Sequence, residues 1–263
     1  MSFDSRDEPP PDTPPAELPP PDASVEPPAS VSWAGRAVAL LEVLLCSDFP
    51  TQLALGSTLA VLGYRPLDLN GELSVGFVAV FSLLDTALLI ALMLFFLRAH
   101  GERPADVFLG RQPVLPEASV GVPLIFVALG LGVALLLTLR WLAPSLHTVE
   151  HNPLEDLIHR PRDAWLFALV VVVAGGVREE LQRAFLLRRF EQWLGGARVG
   201  VVVASLAFGA GYLLQGADAA VATGVLGAFW GVVYLRRRSV VAPMISHSGF
   251  NLAQIAQILL VPK

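Results

Sequence analysis

The stretch Val177-Arg178-Glu179-Glu180-Leu181-Gln182-Arg183 decides how this chain must fold. It follows the apolar run from Ala164 to Ala174, which reads as the first half of a membrane span. Two carboxylates and two guanidiniums then stand where contact with lipid would forbid them. A charge near the bilayer centre costs about 2.5–3.5 kcal/mol on insertion scales. Such residues persist when they face a protein interior, pair with one another or do chemistry. The remaining helices must therefore supply shelter and partners for this stretch.

Composition agrees that the surroundings are lipid. Of 263 residues, 54% are hydrophobic and 16% charged, and the mean hydropathy is +0.61. An average soluble domain carries about 25% charged residues, so the chain reads as an integral membrane protein. A net charge of -5 gives no reason to expect nucleic acid as a partner. The single cysteine, Cys46, excludes an internal disulfide framework and a cysteine-based metal cluster. In an apolar helix it reads as a small core residue.

Working outward, residues 1–32 form an acidic, proline-rich tail without apolar periodicity, expected to be disordered. It lacks the basic start and apolar core of a signal peptide. The first apolar region, Ala37 to Tyr64, is interrupted by Ser47-Asp48-Phe49-Pro50. It is either one kinked span or two shorter helices meeting at Pro50. Glu42 and Asp48 are expected to face the interior or lie near the interface. The span from Val75 to Leu97 carries Asp85, which needs a polar partner, and the span from Val120 to Leu139 reads as scaffold. A polar connection, Arg140 to Arg162, holds His147, His151 and His159. The i, i+4 pair His147 and His151 suits a metal, although loop histidines are more often simply solvated.

The segment from Ala164 to Leu194 follows, and its amphipathic second half, from Phe185, is expected to lie at the membrane interface. Spans from Val199 to Leu214, Ala217 to Leu235 and Val240 to Val261 complete the chain. The expected fold is all-α, a polytopic transmembrane bundle of about seven to eight helices. It divides into the tail (1–32), N-terminal helices and loops (33–162) and a core (163–263). Arg98, Arg103, Arg111, Arg188, Arg189, Arg198, Arg236, Arg237 and Arg238 fall on one side of a seven-span arrangement, against Arg65, Arg140, Arg160 and Arg162 on the other. By the positive-inside rule the tail is then cytoplasmic.

Three patches could carry chemistry. In the first, Glu179 and Arg183 are i, i+4 and should pair, while Glu180 is turned by about 100° toward a different neighbour. Two carboxylates in different environments are what acid/base chemistry needs. The second patch, Ser205-Leu206-Ala207-Phe208-Gly209-Ala210-Gly211-Tyr212, has glycines that permit close helix packing and a phenol near a span end. As an interfacial anchor Tyr212 would be unexceptional. In the third, His247 and Asn251 are i, i+4 on the last span. An imidazole facing a glutamate pair can hold a water that a carboxylate deprotonates.

The order of these patches, together with Phe185-Leu186-Leu187 and Ala242-Pro243-Met244-Ile245, resembles the CPBP family, the type II CAAX prenyl proteases and bacteriocin-processing (Abi) intramembrane proteases. The resemblance covers Asp163 to Leu260. It implies Glu-Glu-x-x-x-Arg, Phe-x-x-x-His and His-x-x-x-Asn motifs, with one glutamate activating water and the histidines and asparagine holding it or the oxyanion. His247 and Asn251 match. Arg183 comes one residue early, and anchoring on Arg183 and Phe185 sets Glu179 at the second glutamate and Arg178 at the first. The general base is therefore either Glu179 or Glu180. Phe208 matches, but Tyr212 stands where the family has histidine. A phenol is a poor zinc ligand at neutral pH, so a zinc held through His247 and Glu179 would be short of ligands.

The resemblance thus implies a CPBP-type intramembrane endopeptidase, acting through Glu179, Glu180, Arg183, Tyr212, His247 and Asn251 on a membrane-embedded or lipidated (CAAX-type) peptide or protein. Its expected home is a bacterial cytoplasmic membrane. The alternative is a catalytically impaired relative serving as a membrane scaffold or binding protein, because Tyr212 replaces the histidine. A transporter is a third reading, without an evident internal repeat to support it.

Overall fold

The computed structural model describes residues 32–67, 71, 73–150, 157–158 and 160–260; the tail, His151 and His159 lie outside them. From Ser32 onward the chain forms one compact unit. The described residues are helical, with no strand beyond an isolated bridge between Leu67 and Leu73.

The first apolar region is two helices, α1 (Trp33–Leu45) and α2 (Phe49–Val61). They are bent by 45° at Cys46–Asp48, just ahead of Pro50. Pro50 instead occupies the first turn of α2, where its missing N–H costs nothing. Next come α3 (Val75–Ala99), the short α4 (Pro104–Phe108) and α5 (Val114–Leu142). Ser74 caps α3 by accepting from the Phe77 N–H at 3.3 Å. The segment from Pro161 is one continuous rod of changing pitch: α6 (Pro161–Val170), a π-helical stretch (Val171–Arg178) and α7 (Glu179–Trp193). Then follow α8 (Ala197–Ala210), α9 (Ala217–Arg237) and α10 (Val241–Leu260).

Three of these helices, α3, α5 and α9, are long and apolar enough to cross a bilayer, and the bent α1–α2 pair makes a fourth. This is fewer than the apolar regions read from the sequence. The difference has a physical cause: α7 carries charges along its length, α8 has only 14 residues, and α10 is interrupted by His247, Asn251, Gln254 and Gln257. Phe95, Phe126 and Leu137 point outward from α3 and α5, as lipid-facing side chains should.

Helix α7 lies at the centre of the bundle. Ala184, Phe185 and Leu187 pack with Leu89, Met93 and Leu97 of α3, and with Tyr234 of α9. Its arginines are turned into ion pairs. Arg189 is 1% exposed and donates to Glu42 of α1 at 2.5 Å and to Glu102. His100 reaches the other oxygen of Glu42 at 2.6 Å. Amphipathicity was therefore a sign of a buried polar seam, because the charges on neighbouring helices complement those of α7.

Helices α8 and α9 approach through Gly209 and Gly224. A Cβ at Gly209 would stand 2.6 Å from the Ala220 carbonyl oxygen, and one at Gly224 would stand 3.2 Å from that of Ser205. The small residues of the second patch thus set the backbone separation. Helix α5 is the expected scaffold against which α10 packs. Its one buried carboxylate, Glu117, is paired by Arg237 at 2.5 Å.

Candidate active site

The π-helical stretch and α7 bring the first patch into the interior. A π turn takes one more residue than an α turn and often marks a functional site. The motif whose spacing departs by one residue begins directly after this turn. Arg178, Glu179, Glu180 and Arg183 are all buried, Glu180 to 1% exposure.

The ion pairs differ from the expected i, i+4 pattern. Arg183 donates to Glu180, three residues earlier, and not to Glu179. Aromatic contacts from α8 and α9 account for this. The Arg183 guanidinium lies 5.2 Å from the Phe208 ring and 5.8 Å from that of Trp230. Those faces attract a cation and draw it to the side of α7 that carries Glu180. Glu179 has Arg178 beside it instead, at 3.5 Å.

His247 comes from α10 and meets both carboxylates. Its Nδ1 is 2.8 Å from Glu180 Oε1, and its Nε2 is 3.8 Å from Glu179 Oε2. The second separation exceeds a hydrogen bond. Glu179 Oε2 and Glu180 Oε2 are buried without partners. The imidazole is held flat against Trp230, with ring centroids 3.8 Å apart and planes within 15°. Trp230 in turn donates its indole N–H to Ser246 at 3.1 Å. The stacking fixes the ring plane and the Glu180 bond fixes its rotation, so Nε2 is directed at Glu179.

The other two expected residues are placed differently. Asn251 donates to the Val171 carbonyl at 3.3 Å, at the start of the π-helical stretch. It therefore secures the backbone ahead of the glutamates. Tyr212 is half-buried just beyond α8 with its ring 5.4 Å from Phe208. Phe208 is also the ring that the Arg183 guanidinium faces, so Tyr212 lies one aromatic ring away from the ion pair.

Sequence reasoning missed Trp230 and Gln182. A tryptophan inside an apolar helix is a usable signal, because its N–H needs a partner there. Gln182 was overlooked beside its charged neighbours; it donates to the Cys46 carbonyl at 2.7 Å. His147 finds a plain role, bonding Asp218 at the start of α9 at 2.8 Å. Asp85 is buried against the broken α1–α2 segment, where it faces Thr51, Gln52 and Asp48.

The donor set does not fit a resident zinc ion. Among the described residues no group of three or more His, Cys, Asp or Glu side chains is arranged to hold a metal. Glu180 Oε1 is taken by Arg183 and His247; the open atoms, Glu179 Oε2, Glu180 Oε2 and His247 Nε2, are not grouped around a common point that could hold an ion. Catalytic zinc sites use about three protein ligands.

A helical membrane bundle enclosing two carboxylates, an imidazole and an arginine defines the class as an intramembrane carboxylate–histidine protein. Residues 161–253 match the family model of Rce1-like proteins, described as type II CAAX prenyl endopeptidases. This segment is similar to the family that its motifs resemble. Comparison with curated proteins gave no match, and neither did comparison with solved structures.

Proposed function

We propose that the core from Pro161 onward is an intramembrane endopeptidase in which Glu179 takes a proton from a water held against His247. The observation that carries this reading is the 3.8 Å separation of His247 Nε2 from Glu179 Oε2, an oxygen buried without a partner. A proton on Nδ1, donated to Glu180, leaves Nε2 as an acceptor. A water beside the pair can then donate one hydrogen to Nε2 and the other to Glu179.

The steps follow from that geometry. The water oxygen bonds to the scissile carbonyl carbon as Glu179 accepts its proton. The carbonyl electrons move to oxygen, and the Tyr212 hydroxyl donates to that oxyanion. The C–N bond then breaks, and the proton held by Glu179 passes to the departing amine. Glu180 and Arg183 do not react; they hold His247 in place. No step passes through a metal. The substrate class is a lipidated, CAAX-type peptide at the membrane, supported by the family match over residues 161–253.

The test is cleavage of a farnesylated CAAX peptide by the purified protein in liposomes, read by mass spectrometry, with His247→Ala alongside. Cleavage by wild type and its loss in His247→Ala supports the reading. Equal cleavage by both rejects this site. Binding of the peptide without cleavage favours the impaired relative, for which Tyr212 in place of a histidine is the specific observation.

A further inference from the structure

We propose that Arg178 is a positioning residue that ties the break in the first membrane segment to Glu179. The proposal rests on the peptidase reading for its purpose and on separate geometry for its existence. Arg178 occupies the turn ahead of the glutamate pair, and each of its three guanidinium nitrogens has a partner. One terminal nitrogen meets Asp48 and Gln182 Oε1 at 3.4 Å. The other terminal nitrogen is 3.5 Å from Glu179 Oε1, and Nε donates to the Ala174 carbonyl at 3.2 Å. A planar guanidinium gripped from four sides has a fixed orientation.

The partner in α1–α2 is equally constrained. Asp48 stands in the break with φ at +71°, a backbone region that residues with a Cβ seldom adopt and that aspartate tolerates better than most. The break leaves the Cys46 carbonyl and the Asp48 carboxylate turned toward the interior. Both are answered from the rod that carries the glutamates, by Gln182 and by Arg178, one helical turn apart. A second polar anchor on the same side is the Glu42–Arg189 pair. The break is thus a receptor for the motif rod, and it lies outside the residues that match the family model.

The consequence falls on Glu179. Arg183 is committed to Glu180, so Arg178 is the cation in ion-pair contact with Glu179. By holding Oε1, it leaves Oε2 turned toward His247. Arg178 stands where the family motif has its first glutamate, when the motif is anchored on Arg183 and Phe185. An arginine there exchanges a carboxylate for a brace.

The experiment uses the full chain in phosphatidylcholine–phosphatidylglycerol liposomes, with Arg178→Gln, Arg178→Lys and Asp48→Asn. A carbodiimide probe, which couples to protonated carboxyls and spares ion-paired ones, is mapped to Glu179 and Glu180 by peptide fragmentation. Labelling of Glu179 should rise about tenfold in Arg178→Gln, with a smaller rise in Asp48→Asn and Glu180 unchanged. Arg178→Lys should label as wild type does. On the farnesylated peptide, kcat should fall roughly tenfold in Arg178→Gln while KM stays within about twofold. Unchanged labelling of Glu179, or an equal rise at Glu179 and Glu180, overturns the brace whatever the cleavage result. The expected labelling in a protein that cleaves no peptide upholds the brace and rejects the peptidase reading.

Discussion

Replacing Arg189 by methionine isolates the contribution of the buried seam between α1, α7 and the α3–α4 connection. Arg189 is 1% exposed and joins Glu42, itself 3% exposed, to Glu102. Removing one partner of a buried pair costs about 3–5 kcal/mol, because the other charge is left uncompensated. Here the two carboxylates fare differently. Glu102 keeps Arg188 at 2.8 Å and Gln192 at 3.2 Å, while Glu42 keeps, among the described residues, only His100. The loss therefore concentrates on Glu42, and His100 offsets part of it, giving about 3 kcal/mol. At roughly 2–4 °C per kcal/mol for a chain of this size, Tm should fall by about 6–12 °C. Thermal unfolding in detergent, followed by circular dichroism, reads this directly. Glu42→Leu added to Arg189→Met should restore most of the loss, since an apolar pair of similar volume removes the uncompensated charge. A single variant that melts with wild type, or a double variant less stable than the single one, refutes the reasoning.

Three further outcomes follow from particular contacts. Burial of Glu102 works to raise its pKa, but the hydrogen bonds from Arg189 and Arg188 prevail and hold it below its ordinary value of 4.5. A depressed carboxylate stabilises the fold above its unfolded pKa and loses that contribution as pH falls through the folded one. Tm should therefore decline below about pH 4.5, with a shallower decline in Glu102→Gln, as a melting series in acid would reveal. Gly176→Ala would set a methyl 2.9 Å from Ser248 Cβ and 3.0 Å from its Cα. The variant should lose about 1–3 kcal/mol, seen as a lower Tm, and Ser248→Gly should recover part of it. Tyr212→Phe removes the proposed oxyanion donor and should lower kcat by about 10²-fold with KM little changed, measured in steady-state cleavage of the farnesylated peptide.

The membrane setting and the helical class were legible because they are written in composition, and the family likeness over residues 161–253 because it is written in motif spacing. His247 and Glu180 could be connected from their types and order alone. The partner of Arg183 could not, since i, i+3 and i, i+4 both share a helix face and the choice was made by Phe208 and Trp230 on other helices. The depth of α7 was also hidden. A helix with Arg188, Arg189 and Glu191 reads as interfacial until Glu42 and Glu102, distant in sequence, are seen to neutralise it. The π-helical stretch escaped for a related reason: Gly175 and Gly176 permit it, but Asn251 and Ser248 of α10 are what pack against it.

The central claim separates two adjacent carboxylates, with Glu179 handling the proton and Glu180 holding His247. Side-by-side steady-state cleavage of the farnesylated peptide by Glu179→Gln and Glu180→Gln, both shown to be folded by their melting profiles, tests it most directly. Glu179→Gln should lose about 10²–10⁴-fold in kcat, the range of a general base. Glu180→Gln should retain measurable turnover, because an amide oxygen can still accept from His247 Nδ1. Cleavage at the wild-type rate by Glu179→Gln, with turnover abolished in Glu180→Gln, would contradict it.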